Sequence, residues 1–217
     1  MNRNALITLL ALTLFGLAAC GGMTGVRGSG VDKTEKRDLG AFKAIETQGA
    51  YEVQVICQKP RSLEIEGDDN ILPLIQTEVR DGVLYITSSK SMSPRKTLSV
   101  RINVPDLESV TSTGAGKFNV SDIKNDKFEI HSTGAAQMTA TGQTKSVVIG
   151  STGAGEVDTH GLLADNAQVK ATGAASIDVY AAQQLDVDVA GASHVTYSGN
   201  PKVNKNVSGV GMVSKKD

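Results

Sequence analysis

The chain has 217 residues, and its 22 basic and 23 acidic side chains leave a net charge of −1. A charge balance this close to zero provides no basic field for binding nucleic acid. Tryptophan is absent, aromatic residues make up 4% of the chain, and glycine occurs 23 times. This composition argues against a helical core packed with large side chains and favours thin strands joined by tight corners.

The first 19 residues have the pattern of a targeting segment. Arg3 supplies a positive start, and the uncharged apolar run 5–17 is shorter than the ~20 residues that a membrane-spanning helix needs. The next residues, Leu17-Ala-Ala-Cys-Gly21, resemble the lipobox of bacterial lipoproteins, in which the cysteine is lipidated and the chain is cut before it. We therefore predict a signal peptide over residues 1–19 and a lipid anchor on Cys20. The alternative is an ordinary secretory signal with an unrelated cysteine.

The lipobox resemblance also bears on location and on the second cysteine. Gly21 stands where lipoproteins kept at the inner membrane often carry aspartate, so the resemblance implies the outer membrane. Cleavage before Cys20 removes one charged residue, Arg3, and leaves 21 basic and 23 acidic groups, a net charge of −2. Lipidation of Cys20 leaves Cys57 without an intramolecular disulfide partner. Its place at the end of an apolar strand predicts a small core residue and not a nucleophile.

A flexible tether is predicted between the anchor and the folded part. Residues 21–30 contain five glycines, and residues 31–38 carry alternating charges without periodic apolar positions. We therefore predict a tether over residues 20–38, which lets the domain at 39–217 stand off the membrane. From residue 41 onward, alternating apolar and polar residues predict strand after strand.

Three local signals interrupt these strands. Pro73 limits the segment 68–75 to a single helical turn. The pair Asp81-Gly82 predicts a tight turn between two strands. The polar segment 88–96 contains Pro94 and is predicted to be an exposed loop.

One four-residue word recurs through the second half of the chain. It reads Ser112-Thr-Gly-Ala, Ser132-Thr-Gly-Ala, Ser151-Thr-Gly-Ala and Ala171-Thr-Gly-Ala, and it degenerates in two further copies. The glycines lie at positions 114, 134, 153, 173, 191 and 209, so the steps are 20, 19, 20, 18 and 18 residues. A fixed period of this length is typical of a solenoid, in which each unit buries its apolar side against the next.

Apolar residues at a spacing of two flank each word. The flanking pairs are Phe128/Ile130, Val147/Ile149, Ala167/Val169 and Leu185/Val187 before it, and Phe118/Val120, Met138/Ala140, Val157/Thr159, Ile177/Val179 and Val195/Tyr197 after it. Each unit therefore predicts two half-buried strands with Gly-Ala at the corner between them. Stacked units place the threonines of the words in a ladder with a repeat of about 4.8 Å.

The same phase occurs once before the repeats. Val53 and Val55 follow Gly49 by four and six residues, so residues 41–56 are predicted to be an early coil of the same solenoid. Residues 57–97 are predicted to form longer, decorated coils. At the other end, Lys202 and Lys205 enter where earlier units are predicted to be apolar, which is expected of an edge that discourages end-to-end pairing.

Several ordered blocks resemble one known family. They are the run Ala41-Phe-Lys-Ala-Ile-Glu-Thr-Gln-Gly-Ala-Tyr-Glu-Val-Gln-Val55, then Asn70-Ile-Leu-Pro73 and Asp81-Gly-Val-Leu-Tyr-Ile86, and the Ser-Thr-Gly-Ala repeats. Together they resemble the bacterial head GIN domain family, also described as an autotransporter adhesin head domain, over residues 39–215. The resemblance implies an all-β fold, a right-handed parallel β-helix with coils of about 18–20 residues, often on envelope lipoproteins. It implies no reaction.

A carboxylate pair is the best candidate for chemistry. Asp158 and Asp178 each follow a repeat glycine by five residues, so they are expected to stack on adjacent coils of the outward face. Two carboxylates about 5 Å apart could bind a cation or share a proton. The alternative is a solvated pair. His131, His160 and His194 fall at different phases of the repeat and are predicted to be surface imidazoles.

Two functions follow from these observations. The first is a non-enzymatic, lipid-anchored envelope protein that binds or scaffolds, with the membrane as a partner through Cys20 and with a glycan or an envelope protein as ligand. The second is a carbohydrate-active enzyme, a polysaccharide lyase or hydrolase, that uses Asp158 and Asp178. The sequence carries no phosphate-binding loop, dinucleotide fingerprint or metal-ligand spacing, so we expect no cofactor, no metal and no catalytic residues.

Overall fold

A computed structural model describes residues 25–216. The predicted signal peptide and Cys20 lie outside the described residues. Within 25–216, no helix combines the length and the apolar character needed to cross a membrane. The same region contains strands and one short 3₁₀ turn, arranged as a parallel β-solenoid, which confirms the predicted fold class.

The first side of the solenoid consists of strands that each end at a glycine. These strands are β3 (Ala44–Gly49), β10 (Ser109–Gly114), β16 (Gln184–Gly191) and β18 (Lys202–Gly209), together with the last residues of β11 (Lys117–Gly134), β12 (Gln137–Gly153) and β14 (Leu162–Gly173). Neighbours pair in parallel and in register, so Gly49 aligns with Gly114 and the ladder continues without a slip to Gly209. The early coil predicted at residues 41–56 is thereby confirmed.

The glycine ladder forms a corner whose backbone conformation and close packing exclude residues with a Cβ. The repeat glycines have φ between 102° and 131°, a region that L side chains rarely adopt. A Cβ on Gly153 would lie 2.4 Å from the carbonyl oxygen of Gly134 on the neighbouring coil. The corner therefore requires glycine for two reasons, the backbone conformation and the close approach of adjacent coils.

The second side follows the corner. Its strands are β4 (Glu52–Ile56), β13 (Glu156–Thr159), β15 (Ser176–Tyr180), β17 (His194–Ser198) and β19 (Met212–Lys215), with the first residues of β11 and β12. A short third side is made by residues 123–125, 142–144 and 162–164, which pair across coils before the next first side begins. The predicted apolar pairs are buried inside, except that Tyr197 is half-buried near the C-terminal end.

The repeated word divides between the interior and the surface. Ser112, Ser132 and Ser151 stack in register with Thr47 and are buried. The threonines that follow them stack on the outside, which confirms the predicted ladder of Thr113, Thr133, Thr152 and Thr172.

The coils at the N-terminal end do not follow chain order. After β4 the chain forms β5 (Ser62–Asp68), the 3₁₀ turn Leu72–Leu74, β6 (Ile75–Arg80), β7 (Val83–Ser88), β8 (Met92–Ser93) and β9 (Ser99–Asn103). β7 pairs with the outer edge of β3, and β9 pairs with the outer edge of β4. The strands β10 and β11 then add on the opposite edges of β3 and β4.

Residues 57–97 therefore form an end cap and not coils placed between the early coil and the repeats. β5 runs antiparallel to β9, and β6 runs antiparallel to β7. Two local predictions in this segment are confirmed: the single helical turn at Pro73, and the turn at Asp81-Gly82, where both residues have positive φ (50° and 77°).

Two further segments differ from the prediction. The predicted tether is folded over the part that the structure describes, residues 25–38, where β1 (Val26–Arg27) pairs with β8 and β2 (Asp32–Lys36) runs antiparallel to β5. The polar segment 88–96 is not wholly a loop, because it contains β8. The sequence did not reveal these three strands, because each is at most five residues long and β2 consists entirely of polar side chains.

The last coil ends the solenoid with lysines at interior positions. Lys205 is in register with the buried Val187, and Lys215 is in register with Tyr197. For Lys202 the prediction is wrong, because Lys202 is in register with the exposed polar Gln184. An inward-pointing charge at an edge opposes the addition of another strand, so Lys205 serves the role predicted for this end.

Candidate functional site

A groove opens where the end cap meets the first repeated coil. Its volume is about 1190 Å³, and it is bounded by the segment before β3, the turn between β6 and β7, and the third side of the solenoid. Arg61 and the Asp81–Val83 turn, both from the end cap, form part of its wall. Residues 57–97 thus supply one side of a groove, a point that the sequence left open.

Fixed charges line this groove. Lys43 Nζ lies 2.5 Å from Glu108 Oε1 and 3.5 Å from Asp106 Oδ2. The hydrogen bond from Lys43 to Glu108, and secondarily the contact with Asp106, raise the pKa of Lys43. On the neighbouring coil, hydrogen bonds from Lys127 and His131 lower the pKa of Glu129. Both signs of charge are therefore present and ionised at neutral pH.

Two cations in the groove have fewer partners. The guanidinium of Arg61 lies 5.8 Å from the centre of the Phe42 ring, a cation–π contact that leaves its N–H donors available. Lys124 forms no ion pair with the described residues. These groups offer hydrogen-bond donors to a ligand that carries hydroxyl or carboxylate oxygens.

The groove continues along the third side. A second hollow of about 520 Å³ shares Lys124, Asn125 and Asp126 with it and reaches Leu163 and Tyr180. Asn125 Nδ2 donates to the Leu107 carbonyl oxygen at 2.7 Å, while its Oδ1 has no partner among the described residues. The two hollows form one extended path lined by amide, hydroxyl, charged and apolar groups.

The predicted pair Asp158 and Asp178 is stacked in register on β13 and β15. The two carboxylates are not left alone, because Lys216 Nζ lies 2.6 Å from Asp178 Oδ2. That hydrogen bond raises the pKa of Lys216. Asp158 accepts a hydrogen bond from the backbone N–H of His160 at 3.0 Å. The Lys216 ammonium group therefore neutralises the negative charge that the two carboxylates would need to bind a cation or to share a proton.

His160 joins this pair, which the sequence did not predict. Its Nδ1 lies 3.0 Å from Ser198 Oγ and 4.0 Å from Asp178 Oδ1. A nucleophilic triad needs the serine on one ring nitrogen and the carboxylate on the other. Here both groups approach the same nitrogen, so the geometry is not that of a triad. The contact between His160 and Ser198 joins residues 38 positions apart, on different coils, so no local sequence pattern predicts it.

The other residues singled out in the sequence lie apart from this pair. His131 is paired with Glu129 at 3.3 Å, and His194 is exposed on β17. Cys57 is buried, and desolvation, together with Asp106 and Asp122, raises its pKa to about 12. The burial confirms the prediction of a core residue, and a thiol with a raised pKa stays protonated near neutral pH. Within 25–216, no group of three or more His, Cys, Asp and Glu side chains is placed to hold a metal ion.

Comparison with known proteins identifies the family. Residues 41–201 match the family described as "Putative auto-transporter adhesin, head GIN domain". The chain belongs to the head GIN domain family. The match covers most of the chain and agrees with the blocks at residues 41–55, 70–73 and 81–86. No curated protein sequence matches this chain.

Solved structures show the same fold at low sequence identity. A protein described as a putative adhesin from Bacteroides fragilis NCTC 9343 is 20% identical, with a TM-score of 0.71 over 88% of this chain and 100% of that chain. A putative adhesin from Parabacteroides merdae ATCC 43184 is 19% identical, with a TM-score of 0.58 over 89% and 99%. A protein described as a putative lipid binding protein from Parabacteroides distasonis ATCC 8503 is 19% identical, with a TM-score of 0.57 over 88% and 99%.

Proposed function

We propose that this head GIN protein is a lipid-anchored envelope protein that binds a surface glycan in the groove beside its end cap, without turning it over. The observation that carries the proposal is the groove itself. It lies where the repetition breaks, and it combines paired charges, the donors of Arg61 and Lys124, and a continuation along the third side.

The lining favours a polar polymer over an acyl chain. Sugars present closely spaced hydroxyl groups and apolar ring faces, and the path offers charged and amide groups next to Leu163 and Tyr180. A lipid tail needs a mostly apolar, enclosed site. A relative described as a lipid binding protein makes a lipid the alternative ligand, and the absence of saturable binding to any glycan in the assay below would favour it.

A binding role fits the site better than a reaction does. Glycoside hydrolysis uses two carboxyl groups on either side of the scissile bond. Asp158 and Asp178 lie on one face and are contacted by Lys216 and His160. The names of the family and of its structural relatives point the same way.

The first experiment measures binding and turnover together. Full-length protein in detergent micelles is applied to bacterial envelope glycans and host glycans, with product analysis on each. We expect saturable binding without product. The double variant Arg61→Ala/Lys124→Ala loses this binding, whereas the control Lys170→Ala/Lys202→Ala on the outer faces retains it. Product that disappears in Asp178→Asn would overturn the proposal in favour of an enzyme.

The second experiment tests the anchor. Replacing Cys20 by Ala removes the thiol that lipidation requires, so we expect an unprocessed precursor without the acyl modification. Mass spectrometry of the N-terminus and membrane fractionation measure the result. The residue after Cys20 supports an outer-membrane location, and separation of inner and outer membranes tests it. Processing that proceeds unchanged in Cys20→Ala would contradict the lipid anchor.

A further inference from the structure

The folded part of the chain begins close to the proposed anchor. β1 starts at Val26, and Gly25 packs so tightly that an added Cβ would lie 2.9 Å from the backbone nitrogen of Met92. The five residues from Cys20 to Gly25 extend over at most about 18 Å. The end cap therefore stays within that distance of any bilayer that holds Cys20.

Hydrogen bonds hold the entering chain against the end cap. Gly30 N donates to Asp68 Oδ1 at 2.6 Å, and Ser29 N donates to Asn70 Oδ1 at 2.8 Å. Asn70 Nδ2 donates in turn to the carbonyl oxygen of Arg27 at 2.8 Å. Because both backbone N–H groups and a backbone carbonyl of residues 27–30 are hydrogen-bonded to the end cap, these residues do not lengthen the connection to the anchor.

A basic surface lies at the same place. Arg27, Lys90, Arg95 and Lys96 are exposed, and we call them the cap cations. The segment 88–97 that carries three of them contains no acidic residue. Three carboxylates lie nearby: Asp68 is buried and bound by backbone N–H groups, Asp69 accepts a hydrogen bond from Ser29 Oγ at 2.5 Å, and Asp32 lies 3.1 Å from Lys96. Arg27, Lys90 and Arg95 are therefore the cap cations without an ion pair among the described residues.

The cap cations and the groove lie at opposite ends of one strand. Val83, the first residue of β7, lines the groove, and the segment with the cap cations follows Ser88, its last residue. Six strand residues separate the two ends by about 17 Å. A surface that covers the cap cations therefore leaves the groove accessible.

We propose that the cap cations contact the anionic phospholipid headgroups beside the anchored Cys20, so that the end cap rests on the bilayer and the last coil points away from it. The inference rests on the proposed anchor. Its physical basis is that lysine and arginine side chains near an anionic surface are attracted to it within a Debye length, and the short connection holds them there.

The test locates two ends of the protein relative to the membrane. Full-length lipidated protein is reconstituted in vesicles of phosphatidylcholine with phosphatidylglycerol, and a donor dye is attached to Ser91→Cys or Ser208→Cys. Energy transfer to dye-labelled headgroups reports the distance. We expect high transfer from position 91 and low transfer from position 208, which lies in the last coil. The buried Cys57 does not compete for the dye.

Charge reversal provides the matched comparison. Lys90→Glu/Arg95→Glu/Lys96→Glu should lower the transfer at position 91 and raise it at position 208, because the short connection still holds the domain near the bilayer but no longer fixes its orientation. Wild type in pure phosphatidylcholine should show the same change. The control Lys202→Glu/Lys205→Glu/Lys215→Glu changes the same charge at the far end and should leave transfer at position 91 unchanged. Vesicle-bound protein with equal transfer from positions 91 and 208 would overturn this inference alone. Protein that leaves the vesicles altogether would overturn the anchor, and this inference with it.

Discussion

Within each repeated word, neighbouring residues have opposite environments. Ser132 is buried with no hydrogen-bond partner for its hydroxyl among the described residues, whereas Thr133 is exposed. Gly134 then forms the corner with φ 114°. The glycine is required by geometry, but the buried serine is not, because Ala171 and Val189 occupy the same ladder position in later coils.

The corner glycines are expected to be the most sensitive positions. Gly153→Ala places a Cβ 2.4 Å from the Gly134 carbonyl oxygen and also strains the backbone. We expect a loss of at least about 2 kcal/mol in the free energy of unfolding, measured in urea. Gly82→Ala is the control, because Gly82 also has positive φ but has no atom within 4 Å of an added Cβ. Equal losses in both variants would contradict the close-approach argument.

The buried serines are expected to be dispensable. Ser132→Ala removes a hydroxyl that has no hydrogen-bond partner, so the free energy of unfolding should stay the same or rise. The reverse change, Ala171→Ser, buries a new hydroxyl and should cost about 1–3 kcal/mol if that hydroxyl finds no partner. Urea unfolding of both variants checks this pair, and a marked destabilisation by Ser132→Ala would indicate a hydroxyl contact that the account omits.

At the level of strands, the repeats were predictable from sequence and the end cap was not. Each repeated strand contains a glycine with apolar residues at fixed distances from it. The spacing of these residues therefore predicts the register between neighbouring strands. No such pattern is present in β1, β2 or β8, and the strands that pair with them lie far along the chain. The coil order at the end, and with it the groove wall at Arg61, depends on long-range pairing that local patterns do not specify.

The contact between the entering chain and the end cap depends on Asp68. Burial disfavours its charge, but backbone N–H groups of Lys96, Gly30 and Arg95 outweigh burial and lower its pKa. A lowered carboxyl pKa stabilises the fold at pH values above the ordinary pKa of the group, and this stability is lost as pH falls through the lower value. Asp68→Asn should therefore destabilise the protein at neutral pH and remove part of its acid sensitivity.

Hydrogen exchange with pH-dependent unfolding measures this effect. Amides of residues 27–36 should exchange faster in Asp68→Asn than in wild type, while those of the repeat strands should not change. Asp38→Asn, on an exposed side chain, is the control. If Asp68→Asn leaves both the exchange and the acid transition unchanged, Asp68 does not hold the entering chain.

As a whole, the molecule is a rod with two different ends. One end is closed by antiparallel strands and carries the cap cations and the groove. The other end exposes a strand edge in which lysines occupy interior ladder positions. This polarity matches a protein that is held at one end.

The lysines of the last coil should keep copies apart. Lys205→Val restores the apolar residue found at this position in the preceding coil, which removes an inward-pointing charge from the open edge. We expect concentration-dependent association, measured by light scattering after gel filtration. Lys202→Val alters the same strand on its outward face and should remain like wild type. If both variants associate to the same degree, the loss of any lysine charge causes association, and the inward position of Lys205 is not the reason.

The most direct test of glycan binding in the groove is to map where a bound glycan protects the protein. Hydrogen exchange, with a glycan that saturates the full-length protein, reports protected segments along the whole rod. We expect protection at residues 41–44, 81–83 and 124–126, which surround the groove, and no product. Protection confined to the face of Asp158 and Asp178, accompanied by cleavage of the glycan, would contradict it.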